Sequence, residues 1–451
     1  MKIIFIVPQL ISNKQTYIQY PMGVGYICTY LKKLKFSVKI VDQLAENILD
    51  DEIVNIIVDY EPDIIAYSIL TSSYESAKNQ LKIIKNKLPN VPVIAGGIHS
   101  TIFPNLLLND GFDGIIIGEG EYEMQRICIA YKKYKMFLKS KQFIVSSKSK
   151  IPIIDINDEE IEKEVIKTEL ILDRSVYNIN LYGNHSIITA RGCPFSCKFC
   201  CNYKNIFGKY SIRKVESVIK ELLELETKYN AREVFFADDI FFTNRKNIIK
   251  FCYLYKQFGL HLKWVAQLRV DIINEEIVTL MKNSGCYKIC FGIESGSQEI
   301  LDNANKKINL NQVEKAISET KKVGITARTW WIVGLPGSYT EQLKSVELML
   351  KTRPNEISIH QFIPFPGTEY YNFPEKYGIA IKDKYNFSSF CYGDVGNNFT
   401  FDYLTLNEYN NILQIMVNEL ENVGYVSSDY AKKNDNYIYT LPNSYKPINV
   451  F

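Results

Sequence analysis

The sequence has few of the features that mark membrane-spanning, secreted or nucleic-acid-binding proteins. None of its apolar runs approaches the ~20 residues that a bilayer-spanning helix needs. Its net charge is only +3 over 451 residues, which gives no reason to expect a nucleic-acid partner. Met1 is followed at once by a strand-like run rather than by a secretory signal. We therefore expect a cytoplasmic protein that has no transmembrane segment and binds no nucleic acid.

Histidine is also scarce, and the cysteines are distributed unevenly. There are 4 histidines and 10 cysteines, and Cys28, Cys252 and Cys290 lie in apolar segments. Without a secretory signal, disulfide bonds are the weakest interpretation of these cysteines. Hydrophobic residues make up 46% of the chain and charged residues 23%, which is ordinary for a soluble globular protein. The length exceeds that of one ordinary core and predicts two or three domains.

Three of the cysteines form the most informative motif. Cys193, Cys197 and Cys200 stand in Arg-Gly-Cys-Pro-Phe-Ser-Cys-Lys-Phe-Cys, directly after an apolar stretch. This spacing lets one loop place its thiolates around a single metal centre and leaves one coordination position open. A structural zinc site completed by His185 or Cys201 is an alternative. We expect Cys201 not to be a ligand, because the side chains of neighbouring residues diverge.

The first third of the chain predicts a doubly wound parallel sheet. Short apolar runs alternate there with amphipathic stretches, as in buried parallel strands joined by helices. The predicted strands are 3–7, 38–41, 64–67, 93–95 and 114–117. Sheets of this kind bind ligands beyond the carboxyl ends of their strands, and glycine-rich or hydroxyl-rich segments begin there at residues 68, 96 and 118. The alternative is that these segments are only tight turns between strand and helix.

The same alternation resumes at residue 187 and predicts a second parallel sheet. Amphipathic helical segments such as 215–229 and 275–284 separate its strands. The predicted strands are 233–237, 263–267, 288–293, 329–333 and 357–362. Together with the strand before the cysteine loop they make six repeats, which predicts a partial parallel (β/α)6 barrel. In such a barrel the reactive residues gather at the carboxyl ends of the strands. The predicted fold class is therefore α/β.

The cysteine loop resembles the cluster motif of the radical S-adenosylmethionine (radical SAM) superfamily, including the aromatic Phe199 before the last cysteine. The resemblance implies a 4Fe-4S cluster held by Cys193, Cys197 and Cys200, with Phe199 beside S-adenosylmethionine. The fourth iron would chelate the amino and carboxylate groups of S-adenosylmethionine. One electron would then cleave the sulfonium and release a 5′-deoxyadenosyl radical, which is chemistry that belongs to the cofactor.

The N-terminal third is similar to the cobalamin-binding domain found ahead of many radical SAM cores. Pro21-Met-Gly-Val-Gly-Tyr, Gly96-Gly-Ile-His and Gly118-Glu-Gly-Glu carry the resemblance. The Asp-x-His-x-x-Gly loop by which other cobalamin proteins ligate cobalt from below is missing, which implies cobalt without a protein imidazole below it or, in a degenerate case, an empty fold. The residues that the resemblance places at cobalamin are Ser68, Thr71, Gly96, Gly97, His99, Gly118 and Glu119.

The resemblance also covers segments that follow the strands of the second sheet and implies contacts with S-adenosylmethionine there. Arg269 would pair with its carboxylate, although a structural salt bridge with Asp271 explains the pattern equally well. Glu294 would accept hydrogen bonds from both ribose hydroxyls. Gly334 and Gly337 would offer open backbone to the adenine side.

Two adjacent carboxylates follow the predicted strand 233–237. Side by side at a strand end, Asp238 and Asp239 are costly unless they are solvated or paired. We expect them to contact a cation or hydroxyl groups of S-adenosylmethionine. The alternative is a helix-capping aspartate beside a solvated one.

We expect four regions along the chain. A cobalamin-binding-like domain would span 1–135, a linker 136–180, a radical SAM core 181–395 and a C-terminal region 396–451, where substrate specificity would partly reside. The acidic run at 155–164 is expected to be a solvated face of the linker.

The leading functional hypothesis is cobalamin-dependent methylation of an unactivated carbon in a biosynthetic substrate. One alternative is radical-mediated cyclisation, rearrangement or carbon–carbon coupling without methyl transfer. An alternative of another class is a non-catalytic metal-binding regulatory module. The expected partners are a small-molecule, lipid or peptide substrate and an external electron donor such as flavodoxin or ferredoxin. The sequence identifies no catalytic side chain.

Overall fold

The five apolar runs of the N-terminal third become neighbouring strands of one sheet in the computed structural model of the chain. Strand β1 (Lys2–Val7) lies between β2 (Ser37–Asp42) and β3 (Ile64–Ser68), and its four central residues are buried. Such continuous burial is typical of a parallel strand covered on both faces. Strands β4 (Val93–Gly96) and β5 (Gly114–Ile116) continue the sheet in parallel, which confirms the predicted doubly wound sheet.

The structure describes residues 1–10, 20–154, 159–166, 169, 171–201, 210–392, 394–427 and 437–441. It divides into two units, Met1–Gly183 and Asn184–Phe451. The first part of the acidic run at 155–164 and most of the chain beyond residue 427 lie outside the described residues. The four predicted regions with their boundaries stay predictions.

The N-terminal sheet has an edge strand that the pattern did not predict. Strand β7 (Phe143–Val145) pairs antiparallel with β5 and gives the strand order β2-β1-β3-β4-β5-β7. Strands β6 (Phe137–Leu138) and β8 (Ile153–Ile154) form a separate parallel pair. These strands are too short for alternation to show in the sequence. The helices of this unit are α1 (Met22–Lys33), α2 (Gln43–Glu46), α3 (Asp50–Tyr60), α4 (Tyr74–Lys87), α5 (Ile98–Ile102), α6 (Pro104–Asp110), α7 (Glu121–Tyr134) and α8 (Glu159–Glu164).

Tyr177, near the end of the predicted linker, and Tyr182, at the start of the predicted core, pack against the N-terminal unit. The Tyr177 hydroxyl donates to the carbonyl oxygen of Pro21 at 3.0 Å, and the Tyr182 hydroxyl donates to the buried carboxylate of Asp42 at 2.9 Å. The ring of Tyr20 stacks on that of Tyr182 with 4.4 Å between centroids. This segment is therefore part of the N-terminal unit, while its role as a bridge stays a prediction.

The second unit contains six parallel strands that neighbour one another in chain order. They are β9 (His185–Ile187), β12 (Glu233–Phe236), β13 (Lys263–Leu268), β14 (Cys286–Glu294), β15 (Thr326–Val333) and β16 (Glu356–Gln361). Among the described residues β9 and β16 do not pair with each other; β20 (Tyr437–Thr440) covers β16 and in turn pairs with β19 (Val426–Ser427). Six parallel strands in sequential order, without closure, are what the partial (β/α)6 barrel predicted.

Helices separate these strands as the pattern predicted. They are α9 (Val215–Lys228), α10 (Arg245–Gln257), α11 (Glu275–Asn283), α12 (Gln298–Asn303), α13 (Leu310–Lys322), α14 (Tyr339–Thr352), α15 (Glu369–Asn372), α16 (Ser389–Tyr392) and α17 (Leu406–Asn422). Two short antiparallel pairs complete the unit: β10 (Ala190–Arg191) with β11 (Ser211–Ile212), and β17 (Ile379–Ile381) with β18 (Phe399–Phe401). No helix in the described part of the chain has both the length and the apolar character needed to cross a membrane.

The packing of helix α1 gives a test of the N-terminal unit. A Cβ on Gly25 would overlap the hydroxyl of Tyr177 and would lie 2.9 Å from Cδ1 of Leu172. We expect Gly25→Ala to lower the free energy of unfolding of this unit by about 1–3 kcal/mol, as overpacking does. The measurement is the midpoint of the corresponding transition in differential scanning calorimetry.

Gly23→Ala is the matched control, because nothing lies within 4 Å of a Cβ on Gly23 in the same helix. Alanine is the better helix former, so this variant should unfold at the same or a higher temperature. Equal midpoints for the two variants would contradict the described packing of Tyr177.

Candidate functional site

Hydrogen bonds join the loops that follow β3, β4 and β5. The Ile69 N–H donates to the carbonyl oxygen of Gly96 at 2.9 Å, and the His99 N–H donates to that of Ile69 at 3.1 Å. The Gly118 N–H donates to the Thr101 hydroxyl at 3.0 Å. The structure therefore brings together the loops predicted to bind cobalamin, which contain Ser68, Thr71, Gly96, Gly97, His99, Gly118 and Glu119. Their contacts with cobalamin stay predictions.

The glycines of these loops have different physical roles. Gly97 has a φ of +97°, and a Cβ there would lie 2.8 Å from the carbonyl oxygen of Ile69, so loop packing requires glycine. Gly96 is less crowded, since the nearest atom to its Cβ would be 3.9 Å away. Ser68 and Thr71 are half-buried at the same edge. Bare backbone and small hydroxyls fit the amide and phosphate groups of cobalamin.

His99 is the single histidine of the N-terminal unit, and its side chain is fully buried. Its ring lies 4.7 Å from that of Tyr74 and 5.0 Å from that of Phe103, and Nδ1 is 3.3 Å from the Thr71 hydroxyl. Burial lowers the pKa of His99 to about 3, so the ring is neutral at physiological pH. The side chain thus packs inside the loop cluster rather than standing at the open edge.

The same edge carries a residue that the sequence did not single out. Leu70, between Ser68 and Thr71, leaves 49% of its surface exposed. A single exposed leucine is common on protein surfaces and does not by itself indicate a ligand. No pattern in a single sequence distinguishes an exposed leucine from the buried ones around it.

The three cysteines lie in a loop that contains little regular structure. Cys197 is buried, while Cys193 and Cys200 are half-buried. The Cys200 N–H donates to the carbonyl oxygen of Cys197 at 3.1 Å, so the last two cysteines share one turn. The short pair of β10 with β11 brackets the loop, of which residues 202–209 lie outside the described residues.

Two basic side chains act on the thiols. Burial raises the pKa of Cys193 and of Cys197, while the charges of Lys306 and Arg269 act in the opposite direction at Cys197 and that of Arg269 does so at Cys193. Nζ of Lys306 lies 5.8 Å from the ring centroid of Phe199 in the same loop. Nearby positive charge stabilises thiolates, which are the form that ligates iron.

The side chain of Arg269 is held by Asp271 and by the turn that contains Lys306 and Lys307. Its guanidinium pairs with the carboxylate of Asp271 at 3.1 Å and donates to the carbonyl oxygens of Lys306 at 3.0 Å and Lys307 at 2.8 Å. Its Cζ also lies 3.7 Å from the ring centroid of Phe195 in the cysteine loop. The structure therefore contains the salt bridge with Asp271, and a contact between Arg269 and S-adenosylmethionine stays a prediction.

Glu294 ends strand β14 with a backbone conformation that is rare for a residue other than glycine. Its φ is +72°, and its Oε1 accepts a hydrogen bond from Nζ of Lys306 at 2.6 Å. A Cβ on Gly292 would lie 3.0 Å from that Nζ and would overlap the Glu294 carboxylate. Burial opposes the charge of Lys306, but the charges of Glu294 and Cys197 outweigh burial and raise its pKa. A strained residue at a strand end that holds an ion pair is typical of a functional site.

The two adjacent aspartates have separate positions. Asp238 is buried, and its Oδ1 accepts hydrogen bonds from the N–H groups of Thr189 and Ala190, each at 2.7 Å, just ahead of the cysteine loop. Asp239 is exposed, and its charge raises the pKa of Cys193. Asp238 thus holds the backbone that leads into the loop, and contacts of either carboxylate with S-adenosylmethionine stay predictions.

The glycines after strand β15 face side chains of this chain. A Cβ on Gly334 would lie 2.9 Å from the ring of Tyr409, and the Gly334 carbonyl oxygen accepts a hydrogen bond from Tyr403 at 2.8 Å. A Cβ on Gly337 would lie 2.5 Å from Cγ1 of Ile300. Side chains of this chain thus occupy the space that a Cβ on either glycine would need. A contact between the backbone of these glycines and adenine stays a prediction.

The chemistry of the donor set fits an iron–sulfur cluster. Among the described residues no three His, Cys, Asp or Glu side chains lie close enough together to hold one metal ion, and His185 and Cys201 are therefore not part of such a group. In a cube, each thiolate binds a different iron, so the thiols need not converge on one point. Cys193 lies close enough to Cys197 for the charge of Cys197 to raise its pKa, and the charges of Lys306 and Arg269 reach Cys197.

Asn305 and Lys306 are the main residues that the sequence did not single out. They follow helix α12 in a charged, polar stretch, Asn303-Ala-Asn-Lys-Lys, which reads as a solvated turn. In the structure Asn305 donates to Ser196 of the cysteine loop at 2.8 Å. Only the tertiary fold brings these positions, 109 residues apart, into contact.

Comparison with known proteins agrees with the two sites. The B12 binding domain family matches residues 9–127, and the Radical SAM superfamily matches residues 187–349. An uncharacterized methyltransferase, PH0819, of Pyrococcus horikoshii is 31% identical over 78% of this chain and 78% of its own length. An anaerobic magnesium-protoporphyrin IX monomethyl ester cyclase of Rubrivivax gelatinosus is 26% identical over 81% of this chain and 68% of its own length.

A solved structure has the same fold along nearly the whole chain. It is the radical S-adenosylmethionine methyltransferase TsrM from Kitasatospora setae with cobalamin and a [4Fe-4S] cluster bound. The TM-score is 0.73 at 14% identity, over 96% of this chain and 97% of that one. Two sheets with these sites define the class of radical SAM enzymes that carry a cobalamin domain.

The chain belongs to the radical SAM enzymes with an N-terminal B12-binding domain. Its cofactors are accordingly a 4Fe-4S cluster, S-adenosylmethionine and cobalamin. The residues that hold each of them stay predictions.

The buried carboxyl of Asp238 predicts a pH-dependent stability. Burial raises its pKa from 3.8 to about 7, so between these values the folded chain keeps a proton that the unfolded chain releases. This contribution to stability is fully present below about pH 4 and is lost as the pH rises through about 7. Asparagine binds no proton there, so the stability of wild type relative to Asp238→Asn should fall by up to about 1.4 kcal/mol per pH unit from pH 5 to 7.

The measurement is urea unfolding at pH 5 to 8, followed by tryptophan fluorescence, because all 3 tryptophans lie in the C-terminal unit. Asp239→Asn is the matched control, since this carboxylate is exposed. A wild type and an Asp238→Asn variant whose stabilities run parallel over this range would show that the carboxyl is not held as described.

Proposed function

We propose that this chain is a cobalamin-dependent radical SAM methyltransferase that acts on an unactivated carbon of a small-molecule, lipid or peptide substrate. We further propose that it works in the cytoplasm and takes electrons from an external carrier such as flavodoxin or ferredoxin. The observation that carries the proposal is the cysteine loop with its two neighbouring cations, on a radical SAM unit with six consecutive parallel strands, in a chain that also has a B12-binding sheet. The names of PH0819 and TsrM as methyltransferases support it.

The cysteine loop is the proposed cluster site. When bound, the cluster and S-adenosylmethionine supply a 5′-deoxyadenosyl radical, and cobalamin supplies a methyl group. Cys193, Cys197 and Cys200 would hold three irons and leave the fourth for S-adenosylmethionine. Asp238 holds the backbone of Thr189 and Ala190, just ahead of the loop.

Glu294 and Arg269 are the proposed contacts for S-adenosylmethionine. Oε1 of Glu294 is engaged by Lys306, so Oε2 is the acceptor that we assign to the ribose hydroxyls. Arg269 uses four of its five N–H donors on Asp271 and on the carbonyl oxygens of Lys306 and Lys307. Its main action is therefore to hold the turn beside the cluster, with one Nη1 hydrogen left for a carboxylate.

Radical cyclisation without methyl transfer is the second candidate reaction. The similarity to a relative named as a cyclase, 26% identical over 81% of this chain, favours it. The two reactions differ in product mass, because methylation adds a methylene equivalent and cyclisation removes hydrogens.

Cleavage of S-adenosylmethionine tests the cluster assignment. We expect the anaerobically reconstituted protein to form 5′-deoxyadenosine when reduced, and Cys197→Ala to lower the rate by on the order of 100-fold or more, since it removes an iron ligand. Chromatographic measurement of 5′-deoxyadenosine gives the rates. Cys201→Ala is the matched control and should keep both the brown cluster absorbance and the cleavage. Normal cleavage by Cys197→Ala would refute the assignment of the ligands.

The position of His99 predicts the state of the cobalt. Because its ring is buried between Tyr74 and Phe103, we expect no protein imidazole below the cobalt. The electron paramagnetic resonance spectrum of the cob(II)alamin form should then be the same in wild type and in His99→Phe, whichever group of cobalamin itself ligates the cobalt. A triplet splitting in wild type that disappears in His99→Phe would show that the histidine reaches the cobalt.

A further inference from the structure

Helix α12 ends in a turn with a defined hydrogen-bond pattern. Asn305 has a φ of +54° and donates its N–H to the carbonyl oxygen of Asp302 at 3.0 Å, while the Lys306 N–H donates to that of Leu301 at 2.9 Å. These are the two bonds of a Schellman motif, in which the residue at the position of Asn305 is most often glycine. The backbone alone therefore favours glycine at position 305.

The side chain of Asn305 explains why asparagine stands there. Its Nδ2 donates to both the carbonyl oxygen and the hydroxyl of Ser196, at 2.8 and 2.9 Å. Ser196 lies between Cys193 and Cys197 in the cysteine loop. In addition, the Lys198 N–H donates to the carbonyl oxygen of Ala304 at 3.0 Å. The turn thus binds the loop on both sides of Cys197.

The turn is itself held from the neighbouring strand. Arg269 donates to the carbonyl oxygens of Lys306 and Lys307 and lies against the ring of Phe195, so it contacts the turn and the loop at once. Lys306 is fixed in addition by its ion pair with Glu294. The turn that contains Asn305 is therefore held in place by Arg269 and Glu294, and the Asn305 amide links this turn to the cysteine loop.

We infer that Asn305 is a positioning residue for the iron–sulfur cluster. Its amide donates to Ser196, which lies between two of the proposed ligands, and it acts by holding Ser196, and with it the curvature of the loop between Cys193 and Cys197. The inference rests on the proposed function, since it takes these cysteines to be the cluster ligands.

The variant Asn305→Gly distinguishes the role of the side-chain amide from that of the backbone conformation. Glycine suits the left-handed conformation, so the variant should fold with an unchanged or higher unfolding temperature. Because the two hydrogen bonds to Ser196 are lost, we expect the reconstituted cluster to lose iron to a chelator about tenfold faster than wild type. We also expect altered g-values of the reduced cluster in electron paramagnetic resonance, with and without S-adenosylmethionine.

Asn305→Asp is the second variant, because it keeps the shape of the side chain and replaces the donor with an acceptor. Its carboxylate would face the Ser196 carbonyl oxygen, so iron loss should be faster still. Asn230→Gly is the matched control: this asparagine also has a positive φ, +50°, but follows helix α9 and is exposed. It should keep the wild-type spectrum and rate of iron loss.

The outcomes distinguish the inference from the function on which it rests. Wild-type iron retention and wild-type g-values in both Asn305 variants would overturn the inference. Failure of Asn305→Gly to fold would also overturn it, because the side chain would then hold the fold rather than the loop. A wild-type protein that assembles no 4Fe-4S cluster on reconstitution would instead refute the proposed function.

Discussion

Residues 192–201, the described part of the cysteine loop, contain little regular hydrogen bonding of their own, so groups that other segments supply help to set their shape. Asp238 binds the backbone before the loop, Arg269 lies against Phe195, and Asn305 binds Ser196. These three residues follow different strands of one parallel sheet. Because parallel strands in sequential order bring their carboxyl ends to one edge, residues distant in the chain can hold a loop that cannot hold itself.

The charges around the loop follow from the same constraint. The Glu294–Lys306 pair is about nine-tenths buried, and an ion pair so far from water stabilises the fold only weakly, because desolvation offsets the attraction. The ion pair instead fixes the positions of both side chains, since a buried pair has few alternative arrangements. Lys306 can then stand beside Cys197 and favour its thiolate while the Glu294 carboxylate remains in place.

The main elements could be predicted from the sequence because each leaves a local signal. Apolar runs marked both sheets, and the spacing of Cys193, Cys197 and Cys200 marked the loop. Asn305 and Lys306 could not be predicted, because their roles depend on partners far away in the chain and their own segment resembles a solvated turn. The packing of Tyr177 and Tyr182 in the N-terminal unit could not be predicted either, because the segment around the predicted boundary between linker and core has no periodicity.

A glycine in a sequence motif can be required by packing within the protein or by close approach of a ligand, and the structure distinguishes the two cases. Gly25 and Gly97 are required by packing, because a Cβ would meet Tyr177 in one case and the backbone of Ile69 in the other. A Cβ added at Gly96 or Gly118 would have no atom closer than 3.8 Å, so crowding explains neither glycine, although the φ of +75° at Gly118 favours glycine there. A motif shared across a family is therefore not uniformly a binding motif. At Gly96 neither crowding nor a positive φ requires glycine, so we expect the absence of a side chain there to leave backbone open to cobalamin.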